Sequence, residues 1–252
     1  MNKNQNIGGF VMEQRGGLAT DEYLKRQDTD SQVYRDNDNL YWLNTAKLES
    51  QSIYLIVKRC FDFIASLLAL ILLLPLFLII AIIIKVDDPK GPVFYSQIRL
   101  GKNQQKFRMY KFRSMIVDAD QKLKLLLDKN EVDGPMFKMK EDPRITKIGE
   151  FIRKTSIDEL PQLWNVLHGD MSLVGPRPPL AREVEEYTDY DLQRLLVQPG
   201  CTGLWQVSGL NDVGFNEMVD LDIKYIRSRS VKTDLKIILD TVKIMVHPNG
   251  AY

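Results

Sequence analysis

The sequence predicts an α+β fold, mainly helical with small β elements, in a monotopic membrane protein whose one apolar segment enters the bilayer and returns to the same side. Three observations carry this: an uncharged run from Phe63 to Ile84, basic residues on both of its flanks, and helical spacing of apolar residues through the C-terminal part. The chain divides into a polar N-terminal extension (1–52), a re-entrant membrane helix broken at Pro75 (53–86) and a cytoplasmic domain (87–252).

Residues up to about 50 are rich in Asn, Gln, Asp and Gly without sustained periodicity, which reads as a weakly structured tail. A short partner-binding element around Asn39–Leu43 is the alternative. The apolar run starts some sixty residues in, behind this polar stretch, so it is not a cleaved leader.

As a helix the run, "FIASLLALILLLPLFLIIAIII", measures about 33 Å, enough for a bilayer. Pro75 at its centre removes a backbone donor. Lys58 and Arg59 precede it; Lys85, Lys90, Arg99, Lys102, Lys106, Arg108, Lys111 and Arg113 follow it. Positive charge on both flanks places both ends in the cytoplasm, hence a hairpin; a kinked spanning helix with snorkelling Lys58 and Arg59 is the competing reading. Asp62, at the edge of the run, needs a cation such as Arg59.

Beyond the run, "PVFYSQIRLGKNQQKFRMYKFRSM" predicts a hairpin around a polar turn with Gly101, its second strand placing Lys111 and Arg113 on one face. That pair suits a phosphate, a lipid headgroup or simply water. Helices are predicted at 118–130, 158–167, 216–227 and 233–246. In the last, Leu235, Ile238, Leu239 and Val242 recur at helical spacing and face the core, or else an anionic lipid surface.

A net charge of +1, from 34 basic and 33 acidic residues, argues against a nucleic-acid partner. Two distant cysteines predict no disulfide framework, and two separated histidines no His-based zinc site. Chemistry here has to come from carboxylates, hydroxyls and a hard cation.

"KTSIDELPQLWNVLHGDMSLVGPRPP" offers such chemistry. Asp158 and Glu159 stand at a helix start, either as part of a Ser156–Glu159 capping box or with Asp158 as the cap and Pro161 in the first turn. The plain alternative is that the acids only cap the helix. Some twenty residues on, Pro176 and Pro178 restrict the backbone around Arg177, presetting a guanidinium fork that suits a diphosphate, with Arg153 as a second cation. Acids, arginines and a membrane segment together suggest phosphoryl transfer at a membrane surface, with Mg²⁺ as partner.

The ordered motifs "KRCFDF", the run with Pro75, "GPVFYSQIRLG", "FRMYKFRSM", the segment above, "PGCTGLWQVSG" and "LDIKY" resemble the bacterial sugar transferases, or monotopic phosphoglycosyl transferases, from about Lys58 onward. Most similar is the catalytic domain of undecaprenyl-phosphate galactose or glucose phosphotransferases. The resemblance implies transfer of hexose 1-phosphate from a UDP-hexose to polyprenyl phosphate, releasing UMP, to begin exopolysaccharide, capsule or O-antigen synthesis at the cytoplasmic face of the inner membrane. It implies Asp158 as nucleophile, Glu159 as its partner in Mg²⁺ or proton handling, and Arg177 as phosphate clamp. Lys58, Arg59, Asp62 and Arg153 would lie near the lipid headgroup, and Pro75 would break the helix.

The chain departs from the family at Leu74, where a serine is common, and at Gln198 and Leu210, where arginines are common. A direct single displacement with Asp158 as metal ligand and a non-catalytic scaffold remain alternatives. Homodimerisation, the hexose and the role of residues 1–50 stay open.

Overall fold

The computed structural model describes residues 41–131, 134–137, 139, 141–208 and 214–246, and a short ladder of β1 (Tyr34–Arg35) with β2 (Asp38–Asn39). Leu210 lies outside the described residues.

Helix α1 (Thr45–Ser50) is capped by Asn44, whose side chain accepts from Lys47 N. Leu43 and Leu48 are buried in the main core with Val174, Val197, Met218, Val219, Ile223, Ile226 and Ile237. This N-terminal stretch therefore packs against the domain that follows the apolar run. Arg229 fastens it by donating to Leu48 O and Gln51 Oε1.

Helix α2 (Ser52–Asp87) is one continuous 36-residue helix with Pro75 inside it. The predicted break at Pro75 does not interrupt the helix: proline removes one backbone bond, and the turns on either side keep theirs. By length and composition α2 could cross a membrane. One stripe of it faces the rest of the protein, with Asp62, Ser66, Ile80 and Ile84 buried, while Ile64, Leu68, Ile71, Leu72, Leu78, Ile79 and Ile82 are exposed.

Both halves of α2 dock on the same domain. In the first half Lys58 pairs with Asp234 at 2.9 Å, Arg59 donates to Val166 O and Leu167 O, and Asp62 accepts from Leu173 N. In the second half Ile80 and Ile84 pack on Phe112 and Ile152, joined by Phe77, Val93 and Ile157. Each such fully buried side chain stabilises the docking by roughly 1.5–3 kcal/mol.

The predicted hairpin is present: β3 (Phe94–Leu100) pairs antiparallel with β4 (Lys106–Phe112), Tyr95 opposite Lys111. Its turn puts Asn103 and Gln104 in the left-handed region, at φ 54° and 60°. The predicted helix over 118–130 is shorter, α3 (Ala119–Leu123) followed by a 3₁₀ turn at Leu127–Lys129. Leu125 and Leu127 point to solvent there, so no core exists to hold a longer amphipathic helix.

Helix α4 (Lys147–Lys154) leads to the acid pair, and α5 (Gln162–His168) leaves it. Strand β5 (Ser172–Val174) pairs in parallel with β6 (Gly200–Thr202), flanked by α6 (Ala181–Val184), α7 (Asp189–Leu192) and α8 (Leu204–Val207). Gly175 and Gly200 meet so closely that a Cβ on Gly200 would stand 2.0 Å from Gly175 N.

Helices α9 (Phe215–Ser228) and α10 (Val231–Val246) close the fold. In α10 the buried residues are Asp234 and Ile237, with Ile238 packed partly on the core, whereas Leu235, Leu239 and Val242, read from sequence as facing the core or else a lipid surface, are exposed and so do not face the core. Asp234 turns that face inward: its carboxylate accepts from Tyr54 Oη, Lys58 Nζ and Tyr225 Oη. Cys60 and Cys201 are free thiols.

Candidate active site

The acid pair sits on a strained turn. Helix α4 ends at Lys154, Ser156 takes a left-handed φ of 55°, and Ile157–Glu159 form a single 3₁₀ turn before α5. A left-handed serine costs about 1–2 kcal/mol. Ile157 packs on the cluster around Ile80 and Phe112, so the turn is seated against the second half of α2. Neither predicted capping arrangement forms: Ser156 makes no side-chain cap, and Pro161, not Asp158, is the N-cap of α5. Asn165 then fixes α5 to β4, accepting from Tyr110 N and donating to Arg108 O. Through that link Lys111 meets the acids.

Asp158 is buried, at 6% exposure, and among the described residues no cation forms an ion pair with it. Burial pushes its carboxyl up to about 6, against the charges of Lys111 and Arg153 and reinforced by Glu159. Glu159 behaves oppositely. Burial would raise it, but Lys111 Nζ, 2.5 Å from its Oε1, together with Arg177 and Arg99, holds its carboxyl below the usual range. The two acids are thus driven apart, a pattern typical of sites where neighbouring carboxylates have separate tasks.

Arg177 lies within the field of Glu159, and its Nη1 approaches Met136 Sδ at 3.5 Å. Arg153, in the last turn of α4, acts on Asp158. The structure therefore brings together Asp158, Glu159, Lys111, Arg153 and Arg177.

Arg113 is not among them. It donates to Asp88 Oδ2, Asp88 O and Pro92 O, and so braces the chain where α2 ends. The alternation that pairs it with Lys111 stops with β4 at Phe112, one residue short of Arg113.

Lys58, Arg59 and Asp62 line a cavity of about 400 Å³ with Tyr54, Lys102 and Arg229, and neither Asp158 nor Glu159 lines it. All three have partners within the protein. Arg59 satisfies the last carbonyls of α5, which ends at Gly169 in the left-handed region, φ 102°.

Sequence reasoning missed Arg99 and Arg194. Arg99 is buried, its guanidinium brought down to about 10 by burial and by Arg177 nearby. Arg194 is buried against Asp222 at 2.7 Å. The signal for both was Pro176–Pro179, a stretch with one backbone N–H that needs donors from elsewhere for its carbonyls.

Residues 53–248 match the family described as bacterial sugar transferase. The chain is 50% identical over 201 residues to the galactosyl transferase CpsE of Streptococcus agalactiae, covering 79% of this chain and 44% of that protein. To an undecaprenyl-phosphate galactose phosphotransferase of Salmonella typhimurium it is 44% identical over 213 residues, 83% of this chain and 44% of that protein. To the exopolysaccharide production protein ExoY of Rhizobium meliloti it is 41% identical over 199 residues, 77% of this chain and 88% of that protein. The chain thus spans less than half the length of the first two relatives.

Proposed function

The chain belongs to the bacterial sugar transferase family, and from that premise we propose that it transfers hexose 1-phosphate from a UDP-hexose to polyprenyl phosphate, releasing UMP, at the start of exopolysaccharide, capsule or O-antigen synthesis. The observation that carries this reading is a buried Asp158 with no ion-pair partner among the described residues, beside a Glu159 paired with Lys111 and within the field of Arg177. An ionised carboxylate so placed is a nucleophile with little hydration to shed.

Asp158 Oδ attacks the sugar-bearing phosphorus; the new O–P bond forms as the bond to UMP breaks, leaving a phospho-sugar on the aspartate. An oxygen of the lipid phosphate then attacks the same phosphorus and the carboxylate leaves, giving the polyprenyl-diphosphate sugar. Arg177 and Lys111 balance the charge of the diphosphate, while Glu159, kept ionised by Lys111, adds negative charge beside Asp158 that a hard cation can share. Mg²⁺ fits this donor set: the described residues hold no cluster of three metal-ligating side chains, and magnesium typically takes one or two carboxylates plus substrate phosphates and water. Asp158 and Glu159 would hold it, and when bound it screens the negative diphosphate.

The membrane reading follows from α2. Two ends docked on one water-facing domain belong on one side of a bilayer, which supports re-entry over spanning and puts the exposed apolar face of α2 in lipid. The lipid headgroup contacts assigned to Lys58, Arg59 and Asp62 remain part of this proposal, since all three line one cavity near the start of α2 while fastening the helix.

Incubation with UDP-galactose or UDP-glucose and Mg²⁺, without lipid, should leave a phospho-hexose on Asp158 detectable by mass spectrometry. Unlabelled protein from a preparation that turns over when lipid is added would favour direct displacement. Full product formation by Asp158→Asn would remove the catalytic reading altogether, and UMP release across a panel of UDP-sugars assigns the hexose.

A further inference from the structure

Pro176, Pro178 and Pro179 cannot donate a backbone hydrogen bond, so the segment carrying Arg177 can be held mainly through its carbonyls. All four are engaged. Pro176 O accepts from Gly200 N at 2.9 Å and Pro179 O from Leu100 N at 3.0 Å. The two in between accept from buried arginines: Arg177 O from Arg194 Nη2 at 3.3 Å, and Pro178 O from Arg99 Nη1 at 3.0 Å.

Each arginine is itself fixed. Arg194 donates Nε to Asp222 Oδ2 and Nη1 to Tyr187 Oη, and Arg99 donates Nη2 to Gln97 Oε1. Glu183, also buried, accepts from Leu180 N just past the prolines and offsets the positive charge of Arg99 and Arg194. Burying two guanidiniums under one short turn is costly unless the turn must keep a single conformation.

We propose that Arg99 and Arg194 are positioning residues, a two-sided brace on the peptides at Arg177 and Pro178 that fixes the direction of the Arg177 fork toward the nucleotide-sugar phosphates. The function of the brace rests on the reading of Arg177 given above; its existence does not. Both arginines are too buried to meet substrate, so they act through Arg177.

The test uses Arg99→Lys and the milder Tyr187→Phe, which removes the acceptor of Arg194 Nη1 without leaving a charge unpaired. Both are made in the full chain in lipid nanodiscs, alone and combined with Arg177→Ala. Amide exchange in peptides covering 175–180 should quicken by about tenfold, the effect of losing one hydrogen bond to a charged group, while peptides of α5 stay unchanged. Unchanged exchange at 175–180 in both variants overturns the brace. KM for the UDP-sugar should rise about tenfold in each, with KM for polyprenyl phosphate constant and no further rise in the Arg177→Ala background. Additive effects, or equal loss toward both substrates, would overturn the positioning role. If Arg177→Ala alone leaves the UDP-sugar KM unchanged, the reading of Arg177 fails while the exchange result still stands.

Discussion

Replacing Asp158 by Asn should destroy activity and stabilise the protein. Burial moves the carboxyl from 3.8, its value in an unfolded chain, up to about 6. Between those values the folded state keeps a proton that the unfolded chain has released, so stability falls as pH rises through the window and the penalty is complete above it. Two units correspond to about 3 kcal/mol. A neutral amide and a neutral carboxyl lose similar hydration, and the net shift already includes the attraction of Lys111, so most of this should return on substitution: about 2–3 kcal/mol, or ~5–10 °C in thermal midpoint, above about pH 7. From about pH 6 down to about pH 4 the advantage should shrink by about 1.4 kcal/mol per unit. Thermal melts of the nanodisc-embedded protein and its variant across that range measure it. A variant no more stable than the parent at neutral pH, or an advantage that ignores pH, would refute the idea that burial drives the titration of Asp158.

Three further outcomes are expected. Lys111→Met removes the partner of Glu159 and a charge that favours ionised Asp158, so the acid limb of the kcat/KM profile should move to higher pH; a lower rate with an unmoved limb contradicts this. Arg113→Ala should lower the thermal midpoint by about 5 °C yet leave KM for the UDP-sugar unchanged, because its contacts are with Asp88 and Pro92; a KM increase would return it to the site. Single cysteines at Thr45 and Lys90, in a background with both Cys60 and Cys201 replaced by Ser, should both react with a membrane-impermeant maleimide from the cytoplasmic face only. Labelling from opposite faces would show that α2 spans.

The hairpin was legible because alternation and a polar turn are local signals, and Asp158, Glu159 and Arg177 stood out as candidates because adjacent acids and an arginine between prolines are visible in a few residues of sequence. Failure came where one residue beyond an element changed everything: Arg113 follows Phe112, the last residue of β4, and turns to Asp88. Ser156 makes no cap and sits at a left-handed φ, while Ile157 beside it packs on a cluster that includes Ile80 and Ile84, over seventy residues away in sequence.

By itself the sequence determined that an apolar helix flanked by cations precedes a domain with an acid pair and a proline-fixed arginine, since composition, period and proline stereochemistry act over a few residues. Tertiary structure alone decided that α2 runs unbroken through Pro75 with both halves on one domain, that α10 turns Asp234 inward in place of Leu239, and that Arg99 and Arg194 hold the peptides of Arg177 and Pro178. Each of those outcomes pairs groups distant in the chain, and burial, which no local pattern records, sets what such a pairing is worth.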